Sequence, residues 1–257
     1  MYITLHKERS FSATIYSVYA LLLLLTASVT KAQTDKFPTS ARAEQAILRT
    51  QKDLVTGLHN KNLTYGSPIF IRIFKIPGKL ELWVENKQKQ FKLFKTYEIC
   101  NFSGALGPKI KQGDRQSPEG FYFVTKNQLN PWSRFHLSFN LGYPNAYDRY
   151  YGRTGNYLMV HGDCVSIGCY AMTDKYIEEI YSMAVAALKN NQSFFRVHIF
   201  PFQLTDRVLV KYKDHRSYDF WLELKKGYDF FNNHGYPPNV EVNNGHYTFT
   251  DIRRSLN

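Results

Sequence analysis

The sequence predicts a mainly β fold with a few helices, an α+β domain, on three observations. Short segments rich in β-branched and aromatic residues recur between 69 and 200. Clusters of Gly, Pro, Asp and Ser separate them. Helical periodicity is confined to a few stretches.

In chain order, Lys7 and Arg9 precede an apolar run over 15–27, followed by "SVTKAQ". This order reads as a secretory signal peptide over 1–32, with Thr30 and Ala32 as the small residues before the cut. The run is short of the roughly 20 residues that a membrane-spanning helix needs. An uncleaved N-terminal anchor is the alternative, and no later stretch is apolar enough to span. Cleavage removes Lys7, Arg9, Lys31 and Glu8, taking the net charge from +12 to +10. A basic exported chain calls for an anionic partner or surface, such as wall polymers or lipid headgroups. Nucleic acid is not expected, because no binding motif appears and the basic residues are scattered.

Residues 33–66 read as a helical extension. "ARAEQAILRTQKDLVTGL" (41–58) has apolar positions at 43, 47, 48, 54 and 55, and Thr39 or Ser40 is its cap. Residues 67–201 form the main domain, with strands "IFIRIF" (69–74), "KLELWV" (79–84), "FKLFKTYEI" (91–99), "FYFVT" (121–125), "FHLSFN" (135–140), "YLMV" (157–160) and "FRVHIF" (195–200). A Gly-rich loop over 100–120 interrupts the set. "TDKYIEEIYSMAVAALK" is a helix capped by Thr173 or Asp174. Residues 202–257 read as a C-terminal extension, a short helix and a Pro-bounded tail whose aromatics pack on the domain.

The chemistry concentrates in "VHGDCVSIGCYAMTD" (160–174), which holds His161, Cys164 and Cys169. Three cysteines cannot all pair within one chain, so in an oxidising compartment at least one is free or otherwise engaged. A zinc knuckle is disfavoured, because H-x2-C-x4-C does not match the paired spacings of structural sites. A Cys100–Cys164 disulfide would leave Cys169 free, and a Cys164–Cys169 loop is short for bonding geometry. In the third reading Cys169 is a nucleophile and His161 its base, with the thiol activated at neutral pH. Gly162 would turn the chain beyond His161. Gly168 would bend it before the thiol and leave the Gly168 and Cys169 amides open as an oxyanion hole.

"VHG" followed by "SIGCYAMT" resembles the active-site signature of the YkuD-type L,D-transpeptidase family, a His-Gly pair leading to Ser/Thr-His-Gly-Cys. "GALGPKIKQGDRQSPEGFY" is similar to that family's Gly/Pro-rich segment. Segments at 66–75, 143–149, 157–174, 201–206 and 220–231 are more similar still to its YafK-like branch. The resemblance implies a β-sandwich or barrel with a helix after the cysteine, Cys169 as nucleophile and His161 as general base. It puts Ser166 and Gly168 in the slots before the nucleophile. Ile167 stands where the wider family has a second histidine, and Tyr170 and Ala171 replace a nearby arginine. The implied enzyme is an exported, periplasmic or secreted one that acts on peptidoglycan stem peptides, and in this branch on wall-linked lipoprotein, without metal or cofactor. Cross-link formation and a catalytically silent wall-binding module are the alternatives. Tyr143, Asn145 and Tyr147 are weaker candidates for the substrate groove. Lys109, Lys111 and Arg115 are candidates for stem-peptide carboxylates.

Overall fold

Every residue of β1 (Ile69–Phe74) is buried, so the strand has a layer on both faces. The structure, a computed structural model, describes residues 37–251 together with Tyr2 and Arg253; the leader expected over 1–32 lies, Tyr2 apart, outside them. The inner face of β1 carries Ile69, Ile71 and Ile73, which belong to the main core. The outer face carries Phe70, Arg72 and Phe74 under a C-terminal layer.

Helix α1 (Ala41–His59) starts at Ser40, whose hydroxyl accepts the Ala43 N–H. Its inner face is Ala43, Ala46, Leu54 and Leu58, whereas Leu48 and Val55, expected inside, face solvent. The steps of 3, 8 and 4 residues keep one helical stripe. β2 (Lys79–Glu85) and β3 (Phe91–Glu98) extend β1 as an antiparallel meander. After β4 (Asn101–Phe102), β5 (Gly120–Thr125), β6 (Leu129–Asn130) and β7 (Ser138–Asn140) follow, then α2 (Ala146–Tyr150), β8 (Met159–His161) and β9 (Tyr170–Ala171). Helix α3 (Asp174–Lys189), capped by Thr173, leads to β10 (Phe194–Phe200).

Two five-stranded sheets result, in the orders β3-β2-β1-β10-β5 and β4-β9-β8-β7-β6. Their facing side chains share one core, among them Ile71, Val197, Phe139, Val160 and Tyr170, together with α3 residues such as Ile177 and Ala184. The α+β expectation holds. Two predicted strands are shorter than their sequence suggests. His136 (φ 64°) and Tyr157 (φ 53°) adopt left-handed backbone, which an extended ladder cannot contain, so pairing begins only at Ser138 and Met159.

The C-terminal part is more ordered than a short helix and tail. After α4 (Asp206–Leu209), α5 (Tyr218–His234) runs 17 residues and ends at Gly235 (φ 72°), the left-handed position that glycine occupies without a Cβ clash. A hairpin of β11 (Asn239–Asn243) and β12 (His246–Thr250) closes through Asn244-Gly245. Both turn residues have positive φ, as a two-residue hairpin turn requires. This layer forms a second core with the outer face, including Phe74, Phe121, Phe200, Trp221 and Tyr247. No helix among the described residues is long and apolar enough to cross a membrane.

Candidate active site

β8 and β9 run parallel, pairing Val160 with Tyr170 and His161 with Ala171. Cys169 directly precedes β9, which sets it beside Met159, and the Met159 N–H points at Cys169 Sγ (3.4 Å). Side chains two apart on a strand share a face, so Met159 and His161 do. His161 is therefore one strand over and two residues along from the thiol, on the same face of the sheet.

His161 is 2% exposed and its ring stacks on Phe135 (centroids 4.7 Å apart). Its Nδ1 lies 2.5 Å from the Gly162 carbonyl. A carbonyl can only accept, so Nδ1 carries the proton and Nε2 keeps its lone pair. Burial holds the imidazole below its ordinary pKa of 6.5, against the opposing pull of the Gly162 carbonyl and Asp163. The ring is therefore neutral at neutral pH.

Cys169 is a free, half-buried thiol, whereas Cys100 and Cys164 form a disulfide. Cys164 is thereby tied away from any shared ligand set with His161 and Cys169. Burial pushes the Cys169 thiol above the ordinary value, with the Met159 N–H and the Lys109 charge acting in the other direction. The resting thiol is thus protonated at neutral pH, contrary to the activated thiolate that the sequence suggested, because desolvation of a charged sulfur outweighs both helpers.

The Cys169 backbone is fixed through its carbonyl, which accepts the hydroxyls of Ser166 (2.8 Å) and Ser117 (3.1 Å). Ser166 Oγ in turn accepts the Gly168 N–H (3.2 Å). The Gly168 amide, expected to be open for an oxyanion, is used to close this turn. Gly168 has φ 149°, outside the range of side-chain-bearing residues. Gly162 matters for a different reason, close approach. A Cβ there would lie 2.5 Å from Asp174 Oδ1 and 2.9 Å from the His136 Cβ. Asp163 and Cys164 follow with positive φ, held by the Asp163 N–H to Asp174 Oδ1 (2.9 Å) and by the disulfide.

The weaker candidates are engaged in packing and in hydrogen bonds within the protein, Lys109 close enough for its charge to act on Cys169. Tyr143 is buried and donates its hydroxyl to the Lys109 carbonyl, and Tyr147 stacks on Tyr247 with centroids 4.4 Å apart. Asn145 caps α2 and bridges to the Phe121 carbonyl and the Tyr247 hydroxyl. Lys109 is 4% exposed and engaged by Asp114 and the Lys111 carbonyl, so its ammonium is turned from solvent, while Lys111 and Arg115 are exposed. Sequence reasoning missed Ser117, 52 residues before the thiol it supports, and Phe135, which stacks on the base. No local pattern marks either.

YafK of Escherichia coli K12 is 50% identical over 187 residues, covering 73% of this chain and 76% of that protein, and the YafK protein of Escherichia coli O157:H7 matches equally. Among solved structures, the helical cell shape determining protein Pgp2 (K307A mutant) of Campylobacter jejuni aligns with TM-score 0.44 and 16% identity, covering 74% of this chain and 66% of its own. Bd1075 of Bdellovibrio bacteriovorus aligns with TM-score 0.37 and 18% identity, covering 69% and 78%. At such scores these two likenesses add nothing to the assignment. Residues 77–210 match the L,D-transpeptidase catalytic domain, YkuD, and with the half-identical relatives this establishes that the chain belongs to the YkuD L,D-transpeptidase family.

Proposed function

We propose that the protein is an exported, cysteine-dependent enzyme that opens an amide at the L-centre of diaminopimelate in peptidoglycan stem peptides. The observation that carries this reading is the free Cys169 beside a neutral, oriented His161 on the adjacent parallel strand. Substrate entering the site displaces water, and the Cys169 S–H proton passes to His161 Nε2 as Sγ bonds to the carbonyl carbon. The tetrahedral oxyanion takes the Cys169 N–H as a donor. The C–N bond then breaks, His161 returns the proton to the departing amine, and a thioester on Cys169 remains. Water as the second acceptor gives hydrolysis and a free carboxylate, whereas an amine gives a new cross-link.

Hydrolysis is the preferred reading, with wall-linked lipoprotein as one substrate. Its support is the resemblance of the 157–174 segment to the YafK-like branch, along with Ile167 and Tyr170-Ala171 in place of the second histidine and the arginine. In this reading residues 33–66 are a helical extension, 67–201 the catalytic domain and 202–257 a supporting layer. Incubation with muropeptides followed by mass spectrometry tests it. Freed peptide ends that vanish with Cys169→Ala are expected, new cross-links would identify a transferase, and no change would remove the enzymatic reading.

A further inference from the structure

A cavity of about 230 Å³ lies between the hairpin β11–β12 and the outer face of β5 and β10. It shares no lining residue with the 157–174 segment. Phe121, Phe123 and Phe194 line its sheet side and Val240 and Tyr247 its hairpin side. Two polar groups among these apolar walls have needs that the protein does not meet.

The first is Arg196. Among the described residues its side chain makes one hydrogen bond, a long contact to Asn239 Oδ1 (3.4 Å), and its guanidinium lies over the Phe194 ring (4.9 Å). No carboxylate among the described residues lies within ion-pair distance. Arg72, on the same sheet face, shows what a satisfied arginine looks like here. It bonds Glu81 Oε2 (2.9 Å) and Asn232 Oδ1 (2.9 Å) and is flanked by the Trp83 and Phe231 rings. Arg196 is partly exposed and lacks a counter-charge among the described residues, so its guanidinium is available to an anion in the cavity. Burial accordingly lowers its pKa.

The second is His198, wholly buried at the cavity floor between the edges of Phe70 and Phe121. Neither ring nitrogen has a hydrogen-bond partner among the described residues, although buried polar groups in folded proteins nearly always do. The charges of Arg196 and Arg72 add to burial in keeping the ring neutral, so one nitrogen is a donor and the other an acceptor.

We propose that this cavity is a second ligand site, which takes a small monocarboxylate with an aromatic or branched apolar body, its carboxylate on Arg196. Size and charge select that class. The volume is below the roughly 300–1,000 Å³ of most small-molecule sites, which favours a small ligand. Glu241, exposed on the hairpin wall and bonded by Asn239 Nδ2 (3.0 Å), adds a negative charge to the lining, so a singly charged anion suits the site better than a dianion such as phosphate.

Titration of the 15N-labelled protein with phenylacetate, and with neutral phenylacetamide of the same shape, tests the proposal. Phenylacetate should shift the amides of Phe123, Arg196, Val240 and Tyr247, and phenylacetamide should bind at least tenfold more weakly. Cys169→Ala should bind phenylacetate within twofold of wild type. Arg196→Gln should lose at least tenfold, with Arg196→Lys retaining part of the affinity as a charge-keeping control on folding. Equal binding of acid and amide to the wild type overturns the proposal whatever the variants do. So does wild-type affinity in Arg196→Gln, loss of binding in Cys169→Ala, or the absence of shifts around the cavity.

Discussion

Two buried polar pairs sit at strand ends of this protein and are finished in opposite ways. Lys75, just after β1, and Glu119, just before β5, are both fully buried and lie 3.0 Å apart. Lys75 also donates to the carbonyls of Ala105 (3.1 Å) and Gly107 (2.9 Å), and Glu119 accepts from the Gly107 N–H (2.8 Å) and the Trp221 indole (2.8 Å). All three ammonium protons are used, and the pair ties the Gly-rich loop to the second core. His161 and Cys169 are buried to a lesser degree and left open. One imidazole nitrogen is committed, and the thiol has only long sulfur contacts, to the Met159 N–H (3.4 Å) and the Tyr157 carbonyl (3.7 Å). A saturated pair stabilises one conformation, whereas an unsaturated one keeps bonding capacity for a substrate.

The contrast breaks most severely at Glu119. Glu119→Gln leaves the Lys75 ammonium buried without a counter-charge and should cost about 3–5 kcal/mol of stability, read from the denaturation midpoint. A shift under 1 kcal/mol would mean that the saturated pair does not hold the loop. His161→Ala should tip the other way, costing less stability than Glu119→Gln and slowing stem-peptide cleavage by about 10²–10⁴. The pH profile sharpens this prediction. Because burial raises the Cys169 pKa, alkylation by iodoacetamide should still be accelerating at pH 9.0, where an ordinary thiol is half ionised. Because His161 is depressed, the acid limb of cleavage should fall below pH 6.5. A plateau of alkylation at neutral pH would instead indicate a resting thiolate.

Smaller effects probe the frame around the open pair. Replacing Cys100 and Cys164 together by serine should lower stability by about 2–4 kcal/mol, since the bridge closes a long loop. Cleavage should fall as well, because the Asp163-Cys164 backbone loses its tether. Ser117→Ala removes one of two hydroxyls on the Cys169 carbonyl and should cost about 0.5–1.5 kcal/mol. A larger drop in kcat than in stability would identify Ser117 as a positioning residue for the thiol.

Most strands were legible because alternation and β-branched content are local properties, and 69–74 matches β1 residue for residue. The helix after the cysteine was legible for the same reason, since Thr173 and the apolar stripe lie in one window. The C-terminal hairpin was missed although Asn244-Gly245 marks it, because proline and aromatic content drew attention from the turn signal. The groove residues Tyr143 and Tyr147 were misleading because an aromatic beside a motif has the same sequence appearance whether it packs inward or lines a cleft.

By itself the sequence determined most strands of the main domain, the "VHG…SIGC" segment that brings His161 and Cys169 into one short stretch, and a cysteine parity that leaves one thiol over. Only the tertiary structure decided which cysteines pair, that Ser117 and Ser166 share the Cys169 carbonyl, and that Glu119 meets Lys75 beneath Trp221. It also set the burial that pushes the Cys169 thiol up and the His161 imidazole down. Periodicity is fixed by neighbours along the chain, but hydrogen-bond partners and desolvation are set by groups tens of residues away, which packing alone brings together.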